Sequence, residues 1–345
     1  MHVAVLVPGR LDTVSGGYAY DRRMIAGLRA AGHRVEVKEL SGQYPLADDV
    51  AIASAAATLD GLEDAVIPVI DGLALPAFDD CTDAIGARRI VGLIHHPTAL
   101  ETGLAEADAN RLHAIEKKLL PKLARLVVTS ELTAERLVAE FGVDRARIAV
   151  VVPGTDAAAR CMGSGGPTCE ILSVGALVPR KGHDVLMRAL ARLFDLDWHL
   201  TIAGGPRDSV HAHSLQALAD ELLITRRVRF AGEVVDAALE ALWRGADLFA
   251  LATHYEGYGM AVAEALKRGL PVVVTAGGAA GALVSPQAGV VCQPGDVITL
   301  SKSLRRMIFD VGLRHECAEA AWQIGQTLPG WDTQAAAFAA ALADA

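Results

Sequence analysis

Two glutamates stand eight positions apart in the stretch HYEGYGMAVAEALKRGLPVV, at positions 254–273. Glu256 lies beside two glycines, whereas Glu264 lies inside an apolar run with helical periodicity. The pattern predicts a glycine-bearing loop that leads into a helix near Gly259 or Met260. Because the first amides of a helix lack intrahelical acceptors, that helix start would form a site for an anion such as a phosphate.

The spacing of the two carboxylates suits opposite ends of one elongated ligand. A rise of about 1.5 Å per residue puts Glu264 roughly 7.5 Å along the helix axis from Gly259. Carboxylates accept paired hydrogen bonds from vicinal hydroxyls, so a diphosphate at the helix start with a sugar on each side, as in a nucleotide sugar, fits the pattern. The spacing alone leaves open an alternative in which Glu256 caps the helix and Glu264 is a solvated surface residue.

A second glycine-bearing loop carries two adjacent cations. In SVGALVPRKGHDVLMRAL, at positions 173–190, Arg180 and Lys181 directly precede a predicted helix. Adjacent cations neutralise a pyrophosphate and stabilise the charge of a leaving nucleoside diphosphate. Exposed loop charges without a ligand are the alternative interpretation of this loop.

Short β-branched runs alternate with helix-length segments along the whole chain, which predicts βαβ units and parallel sheets. At 345 residues the chain exceeds the usual size of a single hydrophobic core. We therefore expect an α/β protein with two doubly wound, Rossmann-like domains that face each other across a cleft, with the site at the carboxyl ends of the strands. The predicted strands span 3–8, 33–40, 64–71, 88–96, 125–130, 147–154, 169–177, 198–205, 227–233, 247–253, 271–278 and 289–295.

A segment rich in glycine and small residues, 154–168, is typical of a linker that lets two domains move. It predicts an N-terminal domain over 1–155 and a C-terminal, nucleotide-sugar-binding domain over 156–330. The stretch from 328 onward predicts a last amphipathic helix with Trp331 and Phe338 on its packing side.

Composition and charge exclude several function classes. A formal net charge of −9 gives no clustered basic surface, which argues against nucleic-acid binding. Five cysteines without a CxxC pair fit a reducing compartment, and no apolar run reaches the ~18 residues of a membrane span, so we expect a soluble, cytoplasmic protein. The basic run KKLLPKLAR, at 117–125, would suit peripheral contact with the inner face of a membrane, but Glu116 alongside it favours an ordinary solvated helix face.

Two further patterns resemble metal sites without completing one. Asp195 and Asp197 have Asp-x-Asp spacing, but they precede a strand and so lie at the amino end of the sheet. His211 and His213 are two positions apart, whereas helical histidine ligands usually stand four apart. We therefore predict no metal site, and the absence of Gly-x-Gly-x-x-Gly after the first strand argues against a dinucleotide dehydrogenase.

Five segments, which follow one another along the chain in the order that the family has, resemble the retaining glycosyltransferases of family 4, which have the GT-B architecture. EGYGMAVAE matches that family's Glu-x7-Glu motif, LSVGALVPRKGHDVL its "VGRL-x-x-x-KG" segment, and VVPGTD, at 151–156, its "PNGVD" segment. SGGYAYDRRMIAGLRAAGHRVEV, at 15–37, resembles the N-terminal glycine loop and helix, and IHHP, at 94–97, stands where the family often has a cleft histidine. The match runs nearly from end to end.

The resemblance implies a role for each matched position in the C-terminal domain. Glu256 would contact hydroxyls of the donor sugar, and Glu264 would bind the ribose hydroxyls of the nucleotide. Lys181, assisted by Arg180, would hold the diphosphate as charge builds on it. Backbone amides would join them, those of Gly259, Met260 and Ala261.

In the acceptor-side N-terminal domain, the resemblance implies that Gly16 and Gly17 approach the phosphates and the acceptor. His95 would hydrogen-bond the donor sugar or the reacting centre, with the neighbouring His96 as the alternative. Acceptor recognition is expected around residues 10–24 and 97–116. By the same resemblance the last helix, 331–345, crosses back onto this domain, the alternative being a helix packed only on the C-terminal domain.

The implied activity is a hexosyltransferase-type reaction. A sugar would pass from a nucleoside-diphosphate sugar to an undetermined acceptor with retention at the anomeric carbon, and neither a metal nor a cofactor would take part. Two departures keep alternatives open, since Ala176 and Gly281 stand where many relatives have arginine and glutamate. They motivate the alternative of a non-catalytic nucleotide-sugar-binding protein, and a sugar-nucleotide epimerase on the same fold is a separate alternative.

Overall fold

The protein folds into two compact α/β units in a computed structural model that describes residues 1–101 and 103–345. The first unit comprises Met1–Gly154 and Pro329–Ala345, and the second comprises Thr155–Leu328. Each contains one six-stranded sheet in which all neighbouring strands are parallel. Each of the twelve ranges that the sequence predicted contains a strand, and only β1 begins before its range, by one residue, which confirms the predicted fold class.

The first unit is built from β-branched strands that alternate with helices. Its strands are β1 (His2–Pro8), β2 (Arg34–Leu40), β3 (Ile67–Asp71), β4 (Val91–Ile94), β5 (Arg125–Val128) and β6 (Ile148–Val150), in the spatial order β2-β1-β3-β4-β5-β6. Its first five helices are α1 (Gly16–Ala30), α2 (Asp49–Asp60), α3 (Thr82–Ala87), α4 (Glu106–Leu119) and α5 (Glu131–Phe141). Strands β3 and β4 are buried along their whole length, as expected for a parallel sheet that helices cover on both faces.

The second unit repeats this arrangement. Its strands are β7 (Cys169–Val174), β8 (Trp198–Ala203), β9 (Val228–Gly232), β10 (Leu248–Leu251), β11 (Val272–Thr275) and β12 (Gly289–Cys292), in the order β12-β11-β10-β7-β8-β9. Its helices are α6 (His183–Ala191), α7 (Ser209–Glu221), α8 (Asp236–Arg244), α9 (Met260–Lys267), α10 (Val297–Phe309) and α11 (Val311–Thr327). Strands β7 and β10 are neighbours, so the loops that follow their carboxyl ends lie side by side.

The last helix, α12 (Trp331–Ala343), belongs to the first unit and packs against α1. Phe338 and Leu342 are fully buried in the core that β1 and α1 share. A Cβ atom added to Gly27 would lie 2.2 Å from Ala335 Cβ, so the glycine on α1 permits the close approach of the two helices.

The glycine-rich segment at 154–168, which the sequence predicts to be a linker, has hydrogen bonds to the second unit. Cys161 is buried and its amide donates to Arg268 O over 2.8 Å. The amide and the hydroxyl of Ser164 both donate to the carboxylate of Asp247, over 2.9 and 2.7 Å. Small residues let this segment lie close to the surface of the unit, and the hydrogen bonds fix its path.

The basic run at 117–125 turns its apolar side inward. Leu119, Leu120 and Leu123 are fully buried, and Lys118 Nζ lies 2.8 Å from Asp79 Oδ1. With the leucines in the core, the run has the solvated outer face that the sequence favoured. Among the described residues, no helix combines the length and the apolar character needed to cross a membrane, and the cysteines are all free thiols.

Candidate active site

The loop after β10 enters α9 through a glycine that no other residue could easily replace. Gly259 has φ +104°, and an added Cβ would lie 2.9 Å from Ala280 Cβ. No side chain caps the helix, in contrast to α1, where Ser15 accepts a hydrogen bond from Tyr18 N. The amides of Val262 and Ala263 both donate to Gly259 O. The amides of Gly259, Met260 and Ala261 therefore form the open end of the helix, where a bound anion is stabilised.

Glu256 and Lys181 form a buried ion pair between the two neighbouring loops. Lys181 Nζ lies 2.5 Å from Glu256 Oε1, and the side chains are only 14% and 11% exposed. Arg180 NH1 lies 3.5 Å from the same carboxylate oxygen and donates to Tyr255 O over 2.7 Å. Burial raises the pKa of Glu256, but the charges of Lys181 and Arg180 outweigh it and hold this pKa below its usual value.

Backbone contacts lock the cation-bearing loop to the end of β10. His254 N donates to Arg180 O over 2.8 Å, and Thr253 Oγ1 lies 3.0 Å from the same oxygen. Gly182 has φ +61°, and an added Cβ would lie only 2.0 Å from Ala252 O. The methylene chain of Lys181 lies 3.0 Å from where a Cβ of Gly175 would stand, so that glycine leaves room for the lysine.

Glu264 lies on α9, one turn further from the open end, in a half-buried position beside Arg268. Burial raises its pKa to about 7; Arg268 lowers it, whereas Asp156 and Glu240 raise it. Arg268 is shared, since it donates to Glu264 O over 3.2 Å and pairs with Glu240 at 2.7 Å. The carboxyl group of Glu264 is therefore held near its point of half-ionisation at neutral pH, unlike Glu256.

The segment GGAAG, at 277–281, supports the backbone of Glu256. Glu256 N donates to Gly277 O over 3.0 Å, and Ala279 N donates to Glu256 O over 2.8 Å. An added Cβ on Gly278 would lie 2.1 Å from Glu256 O, so only glycine allows this approach. Gly281, which departs from the family pattern, has Val291 Cγ1 at 3.1 Å from its Cβ position. Sequence reasoning did not find this supporting role, nor that of Thr253.

In the first unit, His95 follows β4 and lies directly over the start of α1. A Cβ on Gly17 would stand 3.3 Å from His95 Cδ2, so the glycine permits the ring to approach. The ring edge of Tyr20 packs against His95 at 5.4 Å between centroids. His96 instead pairs with Glu101 at 2.8 Å. Of the two histidines it is His95 that contacts the predicted glycine loop, where Gly16 begins α1.

Two buried aspartates stand behind His95, and the sequence analysis assigned a role to neither. His95 Nε2 lies 3.0 Å from Asp21 Oδ1, and a carboxylate oxygen of Asp21, one of Asp71 and a ring nitrogen of His95 all lie within 4.8 Å of one another. Burial, followed by the charge of Asp21, raises the pKa of Asp71 to about 7. The available signal was the position of Asp71, which ends a predicted strand next to the strand that leads to His95. A 3.0 Å separation between nitrogen and oxygen is that of a hydrogen bond, so His95 is hydrogen-bonded to Asp21, and Asp71 lies beside the pair.

Asp195 and His213, from the two patterns that resemble metal sites, are hydrogen-bonded to other residues. Asp195 pairs with Arg305 through two contacts of 2.6 and 2.7 Å at the surface. His213 Nδ1 lies 2.6 Å from Ser209 O, within its own helix. The range 97–116, predicted to take part in acceptor recognition, contains Thr102, which lies outside the described residues; within it, Glu116 is buried and accepts from Thr98 N over 2.6 Å.

Part of the chain is similar in sequence to known glycosyltransferases. Residues 165–323, which cover most of the second unit, match the family "Glycosyl transferases group 1". The chain is 37% identical over 210 residues to a D-inositol 3-phosphate glycosyltransferase of Mycobacterium sp. (strain KMS), a match that covers 55% of this chain and 47% of that protein. The chain thus spans about half the length of the curated relatives that it matches.

Solved structures establish the fold over nearly the whole chain. The sucrose-phosphate synthase of Thermosynechococcus elongatus superimposes with a TM-score of 0.82 at 17% identity, covering 98% of this chain and 97% of that one. The Anabaena protein HepE, solved in complex with UDP-glucose, superimposes with a TM-score of 0.80 at 18% identity over 100% of both chains. These likenesses identify the GT-B architecture, and the family and the curated relatives that match in sequence are glycosyltransferases.

Proposed function

We propose that this chain, whose residues 165–323 form a glycosyl transferases group 1 domain, is a retaining glycosyltransferase of family 4. It would transfer a sugar from a nucleoside-diphosphate sugar to an acceptor without a metal ion or a cofactor. One observation carries the proposal: Lys181, Arg180 and Glu256 meet in a buried ion cluster beside the uncapped start of α9. An ion cluster next to open helix amides is suited to a ligand that has a diphosphate and a neighbouring polar group.

The donor would bind along the loops after β7 and β10. Its diphosphate would accept from Lys181 Nζ and from the amides of Gly259, Met260 and Ala261. Glu256 would then exchange part of its contact with Lys181 for the hydroxyls of the donor sugar. The glycosyltransferases among the relatives support sugar transfer, and the UDP-glucose in the HepE structure supports a nucleotide sugar as the donor.

The nucleotide end of the donor would lie toward Glu264. A carboxyl group accepts hydrogen bonds from both ribose hydroxyls when it is ionised. Because the pKa of Glu264 is raised to about 7, donor binding would favour the ionised form and release a proton from that fraction of the protein that holds one.

The chemical step that suits this cluster is a front-face displacement. The bond from the anomeric carbon to the diphosphate oxygen breaks as the acceptor oxygen attacks the same face, and the leaving diphosphate takes the acceptor proton. Lys181, Arg180 and the α9 amides stabilise the negative charge that develops on the diphosphate. The scheme needs no carboxylate nucleophile from the protein.

The first unit would contribute the acceptor side. Gly16 and Gly17 would let the phosphates and the acceptor approach the backbone, and His95 would hydrogen-bond the donor sugar. We propose a cytoplasmic location, which the free cysteines support, with membrane contact that is at most peripheral. No nucleic-acid partner is proposed for a chain of net charge −9.

The proposal is tested by incubating the full chain with UDP-, GDP-, ADP- and dTDP-sugars and a panel of sugar, polyol and lipid acceptors. We expect release of a nucleoside diphosphate that depends on the acceptor, an unchanged anomeric configuration in the NMR spectrum of the product, and full activity in EDTA. Glu256→Gln and Lys181→Gln should abolish transfer, whereas Lys118→Gln, at an exposed lysine of the first unit, should not. Normal turnover in both site variants would refute the proposed roles.

Two other outcomes correspond to the remaining functions. Binding of a nucleoside diphosphate without transfer or hydrolysis across the panel would indicate a non-catalytic nucleotide-sugar-binding protein. Conversion of one nucleotide sugar into another in the absence of an acceptor would indicate an epimerase.

A further inference from the structure

Two buried aspartates lie behind His95, and the hydrogen bonds that the structure shows do not satisfy all of their carboxylate oxygens. Asp21 and Asp71 are 1% and 4% exposed. Asp21 Oδ1 accepts from His95 Nε2, and Asp71 Oδ1 accepts from Leu73 N over 2.7 Å. Asp21 Oδ2 is buried and has no hydrogen-bond partner in the part of the chain that the structure describes. A buried carboxylate oxygen without a hydrogen-bond donor destabilises the folded state, so we expect a neighbouring group to donate a proton to this atom.

The neighbour that can supply that proton is Asp71. Two carboxylates this close in a desolvated site cannot both stay ionised, because the repulsion adds to the cost of burial. A protonated Asp71 would donate to Asp21 and leave one negative charge on the pair. That charge balances one positive charge on the imidazole ring of His95, so the buried cluster as a whole would be neutral.

We propose that Asp71 and Asp21 share one proton and together hold His95 as an imidazolium whose Nε2–H points at Asp21, so that Nδ1–H is the donor presented to a ligand. Asp21 and Asp71 are then positioning residues that act through His95. The identity of the ligand rests on the proposed function, in which His95 contacts a sugar hydroxyl or a phosphate oxygen. The state of the ring does not rest on it.

The groups around His95 support this charge state. From α1 it faces Asp21 and the ring edge of Tyr20, and from β3 it faces Asp71. Burial lowers the pKa of His95, but Asp21 and then Asp71 outweigh burial and raise it above its usual value. The positive end of α1, next to Gly17, opposes the charge, so the two aspartates have to supply the stabilisation.

The test is a pH titration of the histidine rings in the full-length protein labelled with ¹⁵N-histidine and free of any ligand. The ring signals of His95 are identified by their loss in His95→Gln. We expect the wild-type ring to be an imidazolium at pH 7, with a midpoint about one pH unit or more above that in Asp21→Asn. That shift corresponds to a change of about tenfold in the protonation constant.

Asp71 provides a matched pair of variants. Asp71→Asn keeps a donor for Asp21 Oδ2, as the protonated acid does, so the His95 signals and the melting temperature should stay close to those of the wild type at pH 6. Asp71→Ala removes that donor, so the melting temperature should fall and the His95 signals should shift. Because both comparisons are made without a nucleotide sugar, they can fail or succeed independently of the transferase activity.

Three results would overturn the proposal. The first is a neutral His95 ring at pH 7, with its proton on either nitrogen. The second is an unchanged midpoint in Asp21→Asn with a normal melting temperature. The third is a stoichiometric divalent metal ion in the purified protein whose removal by EDTA alters the His95 signals, since the aspartates would then serve the metal.

Discussion

Lys181 and Glu256 form an ion pair that a bound diphosphate would have to share. The pair is nearly buried, and Arg180 adds a second positive charge at 3.5 Å. Both cations therefore lie within 4 Å of the same carboxylate. Under the proposed function, the cations would bind the donor, and Glu256 would be the counter-ion that holds them in place before the donor binds.

We expect substitution of Glu256 and substitution of Lys181 to have different effects on the affinity for UDP. Glu256→Gln keeps the shape of the side chain but removes the negative charge that competes for Lys181. We expect it to bind UDP at least as tightly as the wild type in calorimetric titrations, while transfer is lost. UDP affinity that falls in Glu256→Gln as far as in Lys181→Gln would show that Glu256 contacts the nucleotide directly.

The raised pKa of Glu264 predicts that the free energy of unfolding depends on pH. Its pKa in the folded protein is raised from 4.5 to about 7, so the unfolded state loses this proton more readily than the folded state. The contribution of Glu264 to the free energy of unfolding is present below pH 4.5 and is lost as the pH rises through about 7. Its size follows from about 1.4 kcal/mol per unit of pKa difference, reduced by the partial exposure of the side chain.

The measurement is a urea unfolding series from pH 4.5 to 8 on the wild type and Glu264→Gln. Glutamine does not titrate, so the stability of the wild type relative to the variant should decline across this range. Asp71 is present in both proteins and cancels in the difference. A difference that is constant with pH would show that Glu264 keeps its ordinary pKa.

At the scale of elements, the loop between β7 and α6 depends on one glycine. Gly182 and Gly295 both have a left-handed backbone, with φ +61° and +77°, but only Gly182 has a carbonyl oxygen at 2.0 Å from its Cβ position. Gly295→Ala should cost about 1–2 kcal/mol for the left-handed backbone alone. Gly182→Ala should cost more and should also weaken UDP binding, because Lys181 would move. Equal losses of stability in chemical denaturation, with UDP binding intact, would contradict this role of the loop.

The elements themselves were predictable, whereas several contacts between them were not. The twelve strands follow from β-branched runs, and the neighbouring positions of Lys181 and Glu256 follow from the rule that ligands bind at the carboxyl ends of strands. The contact of Asp21 with His95 joins residues 74 positions apart, and no local pattern encodes it. The hydrogen bond from Ser164 to Asp247 is also a tertiary contact, which the composition of its segment does not encode.

At the scale of the whole molecule, each unit has its own core. Phe338 on α12 is fully buried in the first unit, and Phe249 on β10 is fully buried in the second. Replacement of either by alanine should cost about 3–5 kcal/mol. In hydrogen–deuterium exchange, Phe338→Ala should raise exchange in β1–β6 and Phe249→Ala in β7–β12. Equal increases in both sheets for both variants would show that the units unfold as one.

The central claim, that the second unit binds a diphosphate at Lys181 and the α9 amides, is tested most directly by calorimetric titration of the full chain with UDP, GDP and ADP. We predict that at least one of them binds and that Lys181→Gln weakens the binding about tenfold or more, since a hydrogen bond to a charged group contributes about 1.5–3 kcal/mol. The matched control, Lys118→Gln, should bind as the wild type does. No binding by any of the three nucleotides, or equal affinity in Lys181→Gln, would contradict the account.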